Sequence, residues 1–183
     1  MKRFFVDKIE EITCLSGEEF EHAKNVLRIG VGAEVILLDS NMAFGTGEHE
    51  TTSMCVEWID EFITPDSVCI DVGAGSGILG ISALKLGAKK AYLTDIDPIA
   101  VESSLHNCKL NGVAEKAVVA HANLLDDTDI CADIMFANIT GEILKMLAPS
   151  IPKNLKENGV LILSGIIESR LQMVKGLVGS LFA

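Results

Sequence analysis

No stretch of this 183-residue chain approaches the ~18 consecutive apolar residues that a membrane span needs. The N-terminus, Met1-Lys-Arg-Phe-Phe-Val-Asp7, lacks the apolar core of a secretory signal. Basic residues are scarce: 15 Lys and Arg stand against 26 Asp and Glu, a net charge of −11. That balance argues against a phosphate-binding surface, so nucleic acid is not expected as a primary partner. The five cysteines (Cys14, Cys55, Cys69, Cys108 and Cys131) form no C-x-x-C pair. Neither a metal site nor a disulfide framework is expected, and the pattern suits reduced, mostly buried thiols. Together these features predict a soluble, cytoplasmic protein without a membrane partner. Internal repeats and low-complexity tracts are also missing.

What is present is a core and a pattern. Nearly half of the residues are hydrophobic, enough for one domain, or one domain plus an appendage. From residue 68 onward, apolar runs alternate with helical spacings. Strands are expected at 68–72, 90–94, 117–120, 132–137 and 159–163, and helices at 77–86, 98–111, 141–156 and 168–180. Gly87, Gly112 and Gly159 fall where helices should stop. Repeated βα units imply an α/β fold, a mostly parallel sheet with helices on both faces. Ahead of it lies a small β/α unit. A strand is expected at 4–6, a helix from the capping-box pattern Ser16-Gly-Glu-Glu19 to about Arg28, and a strand at 34–38. A glycine-rich loop at 41–50 leads into a helix from Thr51 to about Phe62. The expected domains are therefore 1–40 and 41–183.

The strongest chemical signal is Val68-Cys-Ile-Asp71-Val-Gly73-Ala-Gly75-Ser-Gly77-Ile-Leu-Gly80, with Asp95 at the end of the next apolar run. Strand, glycine turn and helix in succession let a ligand lie against bare backbone, because glycine has no Cβ. A carboxylate 22 residues past Gly73 suits a ribose diol. The signal therefore indicates a nucleoside-containing cofactor. Gly75-Ser-Gly-Ile-Leu-Gly80 satisfies G-x-G-x-x-G, which fits an NAD-dependent oxidoreductase as well as a methyltransferase.

Asp71 either reaches the cofactor edge or caps the turn, and both roles can hold together. Asp97 with Pro98 reads as a helix start, which frees Asp95 for a ligand. His121-Ala-Asn123 follows the third strand, where an adenine edge could be read or a plain surface loop could lie. Asn138 ends the fourth strand, where open α/β sheets bind ligands; the alternative is a helix N-cap. Phe44-Gly-Thr-Gly-Glu-His49-Glu-Thr-Thr52 gathers glycines, hydroxyls and a histidine before a helix that Thr51 or Thr52 could cap. His22 and His106 read as surface or packing residues.

From about Met42 to Gly176 the chain resembles the PrmA-type methyltransferases of a large-subunit ribosomal protein. The resemblance runs through Ala43-Phe-Gly-Thr-Gly-Glu-His-Glu-Thr-Thr52, Trp58, Ile70-Asp71-Val-Gly-Ala-Gly-Ser-Gly-Ile-Leu79, Asp95-Ile-Asp-Pro98, Ala137-Asn138-Ile139 and Leu163-Ser-Gly-Ile166. It implies a class I, Rossmann-like fold that uses S-adenosyl-L-methionine (SAM) to methylate lysine side chains and the N-terminal amine of a ribosomal protein. The cofactor residues it implies are Thr52, Gly73, Asp95 and Asn138, beside Asp71 and Gly75 of the turn. No catalytic residue is assigned; Glu48 and His49 are candidate bases.

Residues 1–40 resemble instead the start of the RsmE-type rRNA uridine methyltransferases, a partial PUA-like segment. Against the PrmA pattern, Glu48 replaces a usual Thr, and the usual preceding recognition domain and the final two strands of the class I sheet are expected to be missing. These departures open a second expectation, a truncated or chimeric remnant that binds cofactor without catalysis.

Overall fold

The computed structural model describes residues 36–39, 50–126 and 128–181. By backbone proximity the chain divides into two units, Met1–Leu37 and Leu38–Ala183, and the architecture that follows belongs to the second. The strand expected at 4–6, the helix expected at 16–28 and the loop at 41–49 lie outside the described residues. Residues 36–39 carry no regular element, so the described part of the strand expected at 34–38 is not one.

Helix α1 spans Glu50–Phe62, followed by β1 (Val68–Val72), α2 (Ile78–Lys85), β2 (Lys90–Asp95), α3 (Pro98–Leu110), β3 (Ala117–His121), β4 (Ala132–Asn138), α4 (Gly141–Leu147), a 3-10 turn (Ala148–Ser150), α5 (Ile151–Asn154), β5 (Leu155–Ser164) and α6 (Glu168–Leu181). The five strands pair in the order β3-β2-β1-β4-β5, and every pairing is parallel. β1 thus sits at the centre, and the order in which successive strands are laid down reverses between β1 and β4.

The period-2 alternation of β1 divides its side chains between two helical layers. Ile70 and Val72, both wholly buried, join Met135 and Ala137 of β4 in a cluster with Leu144, Leu147, Ile151 and Val174 of the following helices. Each large aliphatic group buried this way contributes about 1.5–3 kcal/mol. Asp71 faces the other layer, where α1, α2 and α3 pack in sequence. Helix α2 is buried almost all round, from Ile78 to Leu84, as an apolar helix in a closed interior must be. Gly80 lets it approach β2: a Cβ there would lie 2.7–2.9 Å from three side-chain atoms of Leu93.

Two expected boundaries move. The helix expected over 141–156 is three pieces, because Pro149 and Pro152 lack the N–H that a continuous helix requires and each falls at the start of a new turn. The strand expected at 159–163 begins at Leu155, so Gly159 lies inside β5 rather than after a helix. Register accounts for the extra length: the step from Ala132 to Ile134 on β4 faces the step from Leu155 to Val160 on β5. Asp133 secures this irregular end, accepting from the backbone N–H of Val68 at 2.9 Å and from Lys156 Nζ at 2.7 Å. Among the described residues, no helix is long and apolar enough to cross a membrane, and no cluster of His, Cys, Asp and Glu is arranged to hold a metal ion.

Candidate functional site

The carboxyl ends of β1, β2, β4 and β5 and the N-terminus of α1 bring the candidate residues together. The turn after β1 owes its shape to glycines in the left-handed region: φ is +71° at Gly73, +57° at Gly75 and +82° at Gly77. Side chains rarely adopt that conformation. The turn is strapped to β2, with Gly73 and Ala74 both donating their N–H groups to the Thr94 carbonyl, at 2.9 and 3.0 Å.

Asp95, half-buried at the end of β2, accepts from the backbone N–H of Gly75 through Oδ2 and of Asp97 through Oδ1, each at 2.9 Å. These bonds fix the plane of the carboxylate. They still leave a lone pair on each oxygen, since a carboxylate accepts at about four positions. Two adjacent hydroxyls are the complement of that arrangement. Asp97 caps α3 with a side-chain bond to Ile99 N–H and Pro98 follows at the first position, as the sequence indicated.

Asp71 is 1% exposed, and its Oδ2 accepts the N–H of Gly80 at 2.9 Å. Burial pushes its carboxyl up to about 7; the Gly80 bond opposes this and the nearby Asp95 charge adds to it. Of the two roles weighed for Asp71, the geometry gives it the cap: it holds the first turn of α2 against β1 from beneath the glycine turn.

Asn138, at the end of β4, reaches α1 by donating from Nδ2 to Thr51 Oγ1 at 3.3 Å. Its neighbourhood is tight. A Cβ on Gly165 would stand 3.0 Å from Asn138 Oδ1 and 2.9 Å from the Ile139 carbonyl, and one on Gly73 would stand 2.9 Å from Ile139 Cγ2. The turns after β1, β4 and β5 therefore meet around Ile139. Thr52 is buried on α1, one residue beyond the hydroxyl that Asn138 touches. Glu48 and His49 lie outside the described residues.

His121 and Asn123 are turned to local use. His121 Nε2 is 2.9 Å from the Ile96 carbonyl, and Asn123 Nδ2 donates to Asp126 at 3.0 Å. Two residues that sequence reading passed over support the turn from behind. Ser104 Oγ donates to the Gly75 carbonyl, and Asn107 Nδ2 donates to the Ser76 carbonyl, each at 2.9 Å. They sit three apart on α3 and so share a face. The available signal was two polar residues on the side of α3 that buries Ala100 and Cys108. His106 of the same helix stands 3.7 Å from Asp39 and is half-exposed, a surface contact.

The turn has few donors left. The N–H groups of Gly73, Ala74, Gly75, Gly77 and Gly80 are all given to protein oxygens. A pyrophosphate held at such a turn needs those donors, and it would also meet the half-buried Asp95 carboxylate. The geometry favours a nucleoside ligand without phosphate.

A parallel sheet ordered β3-β2-β1-β4-β5, layered by helices and carrying this turn after its central strand, is the class I SAM-dependent methyltransferase fold. The chain matches the model of the family described as ribosomal protein L11 methyltransferase (PrmA) over residues 24–183. It is 45% identical over 147 residues to the ribosomal protein L11 methyltransferase of Thermoanaerobacter pseudethanolicus, covering 80% of this chain and 47% of that one. It is 48% identical over 140 residues to the protein of the same name from Clostridium perfringens strain SM101, covering 76% and 44%. The crystal structure of a ribosomal protein L11 methylase from Lactobacillus delbrueckii subsp. bulgaricus superimposes with a TM-score of 0.76 at 36% identity, covering 81% of this chain and 75% of that one. A precorrin-6y C5,15-methyltransferase from Geobacter metallireducens shares the fold at a TM-score of 0.66 and 19% identity.

The chain belongs to the ribosomal protein L11 methyltransferase family. It spans about half the length of the curated relatives it matches. The family match begins at residue 24, ahead of the domain boundary expected at residue 40.

Proposed function

We propose that this chain binds SAM at the carboxyl edge of its sheet and serves methyl transfer to an amine of ribosomal protein L11, a lysine side chain or the N-terminus. The observation that carries the reading is the joining of Asp95 to the glycine turn: a fixed, half-buried carboxylate suited to a ribose diol, beside a turn whose N–H groups are already used. SAM has a ribose and no phosphate, whereas NAD requires a pyrophosphate cradle. In this reading Gly73 and Gly75 give the nucleoside its backbone surface and Asp95 takes the diol. Asp71 acts as a positioning residue through Gly80, and Thr52 and Asn138 flank the methionine end.

SAM supplies a methyl group activated by its sulfonium, and the amine nitrogen takes that methyl as the carbon–sulfur bond breaks toward sulfur. The protein's part is alignment of donor and acceptor. A lysine, with a reference pKa of ~10.4, must first lose its proton. Asn138 is the group assigned to hold the amine, since its amide oxygen is an acceptor at the end of a rigid strand. No general base is assigned.

The test is calorimetric titration of SAM into wild type and Asp95→Ala, followed by methyl incorporation into purified ribosomal protein L11. Micromolar binding that the substitution weakens, together with methylated product, supports the reading. Equal affinity for both proteins overturns the site. Tight binding with no methylated product would instead mark a SAM-binding protein without catalysis. Residues 1–40 are assigned on their sequence to a partial PUA-like segment, 41–183 to the methyltransferase domain, and the cytoplasm is the expected compartment.

A further inference from the structure

Helix α1 presents an apolar stripe that the site does not use. Met54, Trp58 and Phe62, spaced four apart and so on one side of the helix, are 56%, 48% and 39% exposed. The adjoining side, about 100° round the helix, is spent on the core through Cys55 and Ile59, both buried. Trp58 and Phe62 stack with ring centroids 6.0 Å apart and planes 9° from parallel, a preformed flat surface. Glu57 and Glu61, themselves one helical turn apart, run along one flank of the stripe, and Asp60 lies beyond them; all three are exposed. The helix has no basic residue between Glu50 and Phe62.

We propose that this stripe docks the methyl-accepting protein through a lysine-bearing amphipathic segment, its apolar side on Met54, Trp58 and Phe62 and its lysines against Glu57 and Glu61. The proposal rests on the methyltransferase reading above and names how that site receives its substrate. Charge selects the occupant. A second copy of this chain, with net charge −11, would set acid against acid along the rim, whereas a protein methylated on its amines brings the complementary sign. Tryptophan is also among the residue types that most often carry binding energy at protein interfaces.

Position supports the same occupant. Thr51, the α1 residue that Asn138 touches, is seven residues from Trp58. At ~1.5 Å per residue, the anchor stands about 10 Å along the helix from the end that meets the site. An extended segment docked on Trp58 covers that distance in about three residues, so the stripe and Asn138 can hold neighbouring parts of one chain.

Trp58 is the one tryptophan of the sequence, so its emission reports this surface alone. Purified ribosomal protein L11 is titrated into the full chain while Trp58 emission is followed, and affinity is measured in parallel by calorimetry at two salt concentrations. The expected result is a blue shift with saturable binding. Affinity should fall at least about tenfold in Phe62→Ala and in Glu57→Lys/Glu61→Lys, and the charge variant should lose most of the salt dependence. SAM affinity and the circular dichroism spectrum should stay at wild-type values in both. Unchanged Trp58 emission, or equal L11 affinity in all three proteins, overturns the proposal. So does concentration-dependent dimerisation that Phe62→Ala abolishes, which would assign the stripe to a second copy. Failure of SAM to bind wild type, with L11 docking intact, would instead overturn the cofactor site and leave the docking surface standing.

Discussion

The backbone N–H of Gly80 and the carboxyl of Asp71 are joined at 2.9 Å inside the sheet–helix interface, with Asp71 wholly enclosed. One buried acid therefore ties the central strand to the helix that leaves the glycine turn. Its burial makes that tie dependent on pH. Between the ordinary carboxyl value of 3.8 and about 7, the folded state holds a proton that the unfolded chain has released. Stability accordingly falls as pH rises through that window and levels off above it. Asp71→Asn keeps an acceptor for Gly80 and removes the titration. The urea midpoint of the variant should gain on wild type from pH 5 to pH 8. A difference that does not change with pH would refute the assignment.

Gly80 is needed for its lack of a side chain. The Cβ of Gly80→Ala would enter contact distance of the buried Leu93 side chain at three atoms. Overpacking of this kind costs about 1–3 kcal/mol. Chemical denaturation should show that loss, and Leu93→Val in the same molecule should restore part of it.

Asn107 is buried, with its amide nitrogen on the Ser76 carbonyl and its amide oxygen accepting the Asp39 N–H at 3.0 Å. Asn107→Ala takes both bonds away within the protein interior. A loss of about 1–3 kcal/mol is expected from urea unfolding. Because the Ser76 carbonyl belongs to the glycine turn, SAM affinity should weaken with it.

Asp95 should matter more to ligand than to fold. Half-exposed, it can surrender its two backbone partners to water at small cost, while a diol loses its acceptor. Asp95→Ala is expected to weaken SAM at least about tenfold, or ~1.4 kcal/mol, with a melting temperature within a few degrees of wild type. A large drop in melting temperature with unaltered affinity would make the residue structural.

The parts of this molecule that could be read from sequence are those set by local pattern. The apolar run at 68–72 and the helical spacing from Pro98 to Leu110 need no distant partner to be recognised, and Asp97-Pro98 announces its own cap. The start of β5 was hidden because Lys156, Glu157 and Asn158 are exposed and polar, and only pairing with β4 makes them strand. Pro149 and Pro152 were visible, yet their effect depends on which turn each one opens.

In the candidate site, the glycine turn at Gly73 and Gly75 and the acid ending β2 at Asp95 were legible from spacing, as elements of structure. The roles of Ser104 and Asn107 were not, since their partners Gly75 and Ser76 lie 29 and 31 residues away. The choice between the two roles of Asp71 likewise waited on burial.

An all-parallel sheet also governs how this site comes into being. It has no hairpin, so every pairing must close a crossover before its first hydrogen bond forms, which places the domain among the slower folders. β1 and β2 can pair early, but the Cys69–Ile134 register that seats β4 beside β1 waits for the chain between them. The turn carrying Gly73 and Gly75 belongs to the early half, whereas Asn138 and Gly165 arrive with the late one. A ligand that touches both halves would bind only the finished sheet, and its binding would serve as a clock for the last step of assembly.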